Sequence, residues 1–168
     1  WLVNAGIRLS AFSQLGAFTR YLGNETNTPT DSIIYENNEP IVTYFGAAPR
    51  LSVRYALSSQ ASLKASIDRT VQYVHLAPVS SVSLPTDIWV PSSENIQPQR
   101  DWQYALGYFK SWKQGTWEAS ALLYYKQMEN QLEYRNGVLF GYGTGFNFDD
   151  NFAFGNGKSV GVELFLKK

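Results

Sequence analysis

The chain has no cysteine and one histidine among 168 residues, and its fourteen basic side chains are matched by fourteen acidic ones. Without cysteine there is neither a disulfide framework nor a thiolate metal site. Balanced charge removes the electrostatic footing for nucleic-acid binding, which rests on neutralising many phosphates. No apolar run reaches the ~18 residues that a membrane-spanning helix needs, which excludes a helical membrane protein. A β-barrel is not excluded, because its lipid face lies on alternate residues. An initiator Met and a charged-then-apolar leader are also missing, which leads to the expectation of a processed chain or an interior segment.

What is present is aromatic: five Trp, eleven Tyr and ten Phe in a chain that is 44% apolar. That is enough to offset the entropy of ordering, and it argues against disorder. The period is 2, the period of strands. From Ile41 to Leu57 the odd positions include Phe45, Ala47, Leu51, Val53 and Tyr55, while the even ones carry Tyr44, Arg50, Ser52 and Arg54. After Ser58, Ser59 and Gln60, Leu63, Ala65, Ile67, Val71 and Tyr73 alternate with Lys64, Ser66, Asp68, Thr70 and Gln72. Trp102, Tyr104, Leu106, Tyr108 and Trp112 alternate with Asp101, Gln103 and Ser111. Beyond a turn at 113–116, Trp117, Ala119, Ala121, Leu123 and Tyr125 alternate with Glu118, Ser120 and Lys126. Segments at Trp1–Ala11 and Ser159–Lys167 behave the same way. The expectation is an all-β, antiparallel up-and-down meander of about six long strands.

Its connections alternate in length, with short turns near 58–60 and 113–116 and long connections near 13–40, 74–100 and 128–156. Outer-membrane barrels have short periplasmic turns and long outer loops in this way, whereas Greek-key sandwiches usually mix the lengths. Aromatic spacing agrees with the membrane reading. Tyr55 and Phe45 are ten positions apart, as are Trp112 and Trp102, which at the usual rise and tilt covers roughly 25 Å, the height of a barrel's apolar band between its aromatic girdles. Arg69 and Lys110 fall in the apolar phase. Lys110 lies near the short-turn end, where it can snorkel; Arg69 requires that its strand has left the membrane or carries a bulge. Six strands do not close a barrel, since open edges cannot face lipid and bacterial barrels have at least eight strands. The chain therefore reads as an arc of a larger one, 1–168.

The blocks Ala48-Pro49-Arg50-Leu51-Ser52-Val53-Arg54-Tyr55, Arg69-Thr70-Val71-Gln72-Tyr73-Val74-His75-Leu76, Leu84-Pro85-Thr86-Asp87-Ile88-Trp89-Val90-Pro91-Ser92-Ser93, Glu94-Asn95-Ile96-Gln97-Pro98-Gln99 and Gly161-Val162-Glu163-Leu164 resemble the barrel of TonB-dependent outer-membrane receptors, and look most like the forms found in Bacteroidetes. The resemblance implies an internal segment of a 22-stranded barrel in the cell outer membrane, plugged by a separate domain and importing a scarce nutrient (siderophore, vitamin, glycan or peptide) energised through TonB. Implied partners are outer-membrane lipid, the receptor's own plug and remaining strands, and TonB through regions absent here. It also allows a surface lipoprotein as a further partner. The terminal aromatic expected where such a barrel ends is missing at Phe165-Leu166-Lys167-Lys168.

On this reading the lumen or plug-facing wall carries Arg8, Arg50, Arg54, Lys64, Asp68, Gln72, Glu118 and Lys126, either as a charged guide or as a solvated polar face. Ligand-binding candidates lie in the outer loops, where binding residues concentrate: Asp87 beside Trp89, with Tyr21, Tyr35 and Tyr142. His75 is alone and supplies no zinc site. Asn147, Asp149, Asp150 and Asn151 group oxygens suited to Ca²⁺ but do not match a calcium-loop spacing. Gly141, Gly143 and Gly145 lack the Lys-Ser/Thr and helix of a phosphate loop. Neither catalysis nor a cofactor is expected. A second reading is a soluble aromatic-rich β-sandwich acting as a carbohydrate-binding or adhesion module; a third, an enzyme using carboxylates such as Asp87 and Glu94, has no support from spacing.

Overall fold

A computed structural model describes residues 1–23, 29–77, 87–113, 115–135 and 147–168. It contains ten strands: β1 (Leu2–Leu15), β2 (Phe18–Gly23), β3 (Pro29–Tyr35), β4 (Pro40–Ala56), β5 (Ala61–Gln72), β6 (Val74–Ala77), β7 (Ile88–Pro91), β8 (Gln99–Trp112), β9 (Trp117–Tyr134) and β10 (Phe152–Lys167), with a 3-10 turn at Phe148–Asn151. Six of them form one antiparallel sheet in the order β1-β4-β5-β8-β9-β10. Every neighbour in that sheet is also the next long strand in sequence, so the sheet is a meander. The other four make two small hairpins, β2-β3 and β6-β7, inserted in the first and second long connections.

The two tight turns have simple causes. Leu57 N–H and Ser58 N–H both donate to Ala61 O, which closes β4 onto β5. Between β8 and β9, Lys113 (φ 51°) and Gly115 (φ 86°) adopt left-handed backbone, and Thr116 N–H reaches Lys113 O. At the long-connection end the long strands run further than the sequence pattern suggests. β1 continues to Leu15, β4 begins at Pro40 and β9 reaches Tyr134, because once a ladder is established each added residue gains a cross-strand partner whatever its side chain.

Register aligns the alternating residues into continuous rows. One row runs Val3, Val53, Ala65, Leu106, Leu123, Val162 across all six strands; its neighbour runs Ala5, Leu51, Ile67, Tyr104, Tyr125, Val160. This apolar face has no cover. Leu106 is 53% exposed, Leu123 49% and Val162 67%, values that belong to solvent-facing polar residues in a soluble fold. A sandwich would bury this face against a second sheet, and none lies over it among the described residues. The buried apolar cluster is elsewhere, at the long-connection end, where Ala77, Val90, Ile96, Leu132 and Phe152 pack together.

The sheet divides above its middle. β4 pairs with β5 only up to Arg50–Asp68, although β4 continues beside β1 to Pro40 and β5 beside β8 to Gln72–Gln99. Pro49 sits where the ladder stops, and it has no N–H to donate. Past this point Tyr73 lies on the polar side of β4: its hydroxyl hydrogen-bonds Ser10 Oγ at 2.8 Å and its ring stacks on Phe12 at 5.3 Å. Period 2 places Tyr73 with the apolar girdle, and the structure corrects this. Gly46 supplies the room, since a Cβ there would meet the Tyr73 hydroxyl.

Candidate functional site

The polar face is built from the even positions of β1, β4, β5 and β9 and the odd positions of β8. Arg50 and Asp68 are direct cross-strand partners, in one row with Gln103 and Lys126. Arg54 and Lys64 pair as like charges, and Arg54 Nε donates to Ser62 Oγ at 3.1 Å. Arg8 lies opposite Ala48, and Glu118 stands between Ser111 and Lys167 near the short turns. Gln72 pairs with Gln99 and donates from Nε2 to Val74 O at 2.7 Å, which ties it to the base of the β6-β7 hairpin. The wall is thus one surface of mixed charge with several exposed cations.

Its best-connected acid is one that sequence reasoning passed over. Asp101 binds Lys126 Nζ at 3.2 Å, accepts from Thr70 Oγ1 at 3.3 Å and receives Gln131 Nε2 at 3.4 Å. The signal was available: Asp101 shares the phase of Gln103 and Ser111. Arg69, the anomaly of the apolar face, is resolved without a bulge, since the β5-β8 register is unbroken from Ala61 to Gln72. Its Nη1 donates to Ala47 O at 3.2 Å across the divided ladder, and its guanidinium lies 5.5 Å from the Trp102 ring centre, an attraction between cation and π-face.

At the long-connection end, three connections meet. Arg20 on β2 forms an ion pair with Glu94 and donates to Asn95 Oδ1 at 3.3 Å. Ser93 donates from Oγ to Asp149 of the 3-10 turn, accepts the Ile96 N–H at 3.1 Å, and offers its carbonyl to the Tyr44 hydroxyl at 2.7 Å. Asn147 exchanges side-chain bonds with the Tyr21 backbone N–H and C=O at 3.0 and 2.9 Å. Burial raises the Asp149 pKa; the Ser93 hydrogen bond opposes this, Asp150 adds to it, and Arg20 also opposes it. Asp150 and Asn147 bond each other through Asn147 Nδ2 and Asp150 Oδ2 at 3.2 Å. The carboxylates here are engaged in fastening loops.

The ligand candidates are dispersed. Trp89 is 67% exposed on β7, paired with Leu76. Tyr21 is exposed on β2 beside Asn147, and Tyr35 is half-buried at the end of β3 opposite Phe18. Asp87 is half-buried and acts electrostatically on Tyr134. No ring contact joins Trp89 to Tyr21 or Tyr35 among the described residues; Tyr142, with Gly141, Gly143 and Gly145, lies outside them.

His75 is fully buried under the β6-β7 hairpin, with Nε2 3.0 Å from Ser92 Oγ. Burial pulls its pKa below the ordinary imidazole value, and the Gln99 side chain partly opposes this. A buried neutral His favours the closed hairpin above the unfolded value of about 6.5, and this is lost as pH falls through it. Amides of β6 and β7 should therefore exchange faster at pH 5.5 than at 7.5 after correction for intrinsic rates, while those of β8 do not respond. Equal protection at both pH values would contradict the assignment.

A meander with one uncovered apolar face, one charged face and fastened long connections at a single end is the wall of a β-barrel. The match to protein families names which one. The model for TonB dependent receptor-like, beta-barrel domains covers residues 1–167, and the chain belongs to that family. No curated protein and no solved structure matches it. The family consists of outer-membrane receptors rather than enzymes, so the chain is a portion of a receptor barrel.

Proposed function

We propose that this chain forms six strands of a 22-stranded outer-membrane barrel that imports a scarce nutrient, energised through TonB, with a plug domain inside the barrel. The observation that carries this reading is the uncovered apolar face: six strands share it in register, and its residues are exposed where a soluble protein would bury them. The free edges of β1 and β10 are then the places where further barrel strands pair, because unpaired backbone in lipid costs several kcal/mol per group. The short turns face the periplasm, and the long connections face outward.

In this setting the charged wall meets the plug or the passing solute. Arg8, Arg50, Arg54, Lys64, Lys126 and Lys167 outnumber the acids Asp68, Asp101, Glu118 and Glu163 on this face, which favours anionic groups along the path. Trp89 and Tyr21, with Asp87, Tyr35 and Tyr142 on the same outer connections, offer stacking surfaces and a carboxylate for first capture. A surface lipoprotein would dock at this end. The test uses cells expressing the whole receptor and a panel of radiolabelled iron chelates, cobalamin, oligosaccharides and peptides. One of these should accumulate, with accumulation abolished by a protonophore while surface binding persists. Accumulation indifferent to the proton gradient would overturn the proposal.

A further inference from the structure

At the short-turn end the apolar face stops being apolar. Lys110 on β8 points the same way as Leu106 and Tyr108, and its neighbours in the same row are Ala61 and Ala119. Small residues on both sides leave the ammonium group unobstructed, and Lys110 is exposed. One row nearer the turn, Trp112 and Trp117 stack at 6.1 Å between ring centres, and Lys168 Nζ lies 5.6 Å from the Trp117 ring centre.

The two lysines therefore flank β9 from opposite sides, with Ala119 between them as a floor and Trp117 as a wall. Strands are spaced about 4.8 Å apart and Lys168 is level with Trp117, two residues along from Lys110, so the two lysine backbones are roughly 12 Å apart. No Asp or Glu shares the apolar face at this end among the described residues. Neither lysine makes an ion pair among them.

We propose that Lys110 and Lys168 form a site for the phosphate headgroup of an anionic phospholipid in the leaflet at the short-turn end. The proposal rests on the membrane reading above and deepens it. Two stacked Trp rings mark the depth of the interface, where indoles sit at headgroup level. Lys110 is two residues above them, about 5 Å along the membrane normal, within reach of a snorkelling side chain. Its charge there needs a counter-ion, and none of the described residues supplies one. A zwitterionic headgroup presents its phosphate with an ammonium attached; an anionic one leaves a net negative charge for two cations. Each lysine close to an anionic surface is worth about fivefold in affinity.

The test uses the whole receptor in nanodiscs, with Trp1→Phe, Trp89→Phe and Trp102→Phe so that, of this chain's five Trp residues, only the pair at the site fluoresces. Phosphatidylglycerol or phosphatidylethanolamine carrying brominated chains is then titrated in. The pair should be quenched several-fold more effectively by brominated phosphatidylglycerol, and K110Q combined with K168Q should remove the difference while quenching by both lipids continues. Equal quenching in the unmodified site, or a preference that survives K110Q and K168Q, would overturn the proposal and leave the membrane reading intact. Absence of quenching by either lipid would overturn both.

Discussion

Replacing Leu106 by Arg should cost about 2–4 kcal/mol of folding free energy in lipid, the penalty for a cation at the bilayer midplane of a barrel. Leu106 occupies the middle of β8, and its row extends through Ala65, Leu123 and Val162, so no charged side chain shares that row among the described residues. The same change at Leu166, one row from the Trp pair, should cost about 0–1 kcal/mol because the charge reaches the interface. Gln103→Arg, three residues from Leu106 and on the opposite face, should be tolerated. The measurement is reversible unfolding of the whole receptor in vesicles by urea. A penalty that did not decline toward the strand end would show that depth in a bilayer is not what the apolar face reports.

The second large effect belongs to the cap at the long-connection end. Phe152 is 1% exposed and its ring lies 4.8 Å from Tyr134 and 5.1 Å from Phe148. It closes the cluster formed by Ala77, Val90, Ile96 and Leu132. Phe152→Ala should destabilise this cap by about 3–5 kcal/mol, the range for emptying a buried aromatic site, whereas Phe152→Leu should cost much less. Hydrogen exchange distinguishes a local from a global effect. Amides of β6, β7 and residues 92–98 should lose protection in Phe152→Ala while the rows around Leu106 keep theirs, because the cap and the apolar face share no core. Simultaneous loss in both would mean that the cap stabilises the sheet, contrary to this account.

How far the sequence revealed this fold depends on the range of the interaction involved. Alternation at Leu51–Tyr55, Leu63–Ile67, Tyr104–Tyr108 and Ala119–Tyr125 is local, and it showed the apolar face because side chains on a strand can point only two ways. The divided ladder was not legible. Pro49 is visible in the sequence, yet a missing N–H matters only on the side where a partner would have accepted it. Tyr73 followed its period into the wrong face because the strand had already parted from β4 and Gly46 left space on the other side. The fastening of the long connections is beyond any local reading: Arg20 and Asn95 are 75 positions apart, and Ser93 and Asp149 are 56. Asp101 is the opposite case, since its phase was plain and only its partners were hidden.

Contact of the apolar face with lipid can be read directly along one strand. Absence of cysteine in this chain permits single nitroxide labels along β8, from Trp102 to Trp112, in the whole receptor reconstituted in vesicles. Collision rates with oxygen, which partitions into the bilayer, and with an aqueous nickel chelate should alternate with a period of 2. Oxygen collision should be high and nickel collision low at Tyr104, Leu106 and Tyr108, and the reverse at Gln103 and Ala105. Protection of Tyr104, Leu106 and Tyr108 from both reagents, as inside a closed two-sheet core, would contradict contact with lipid.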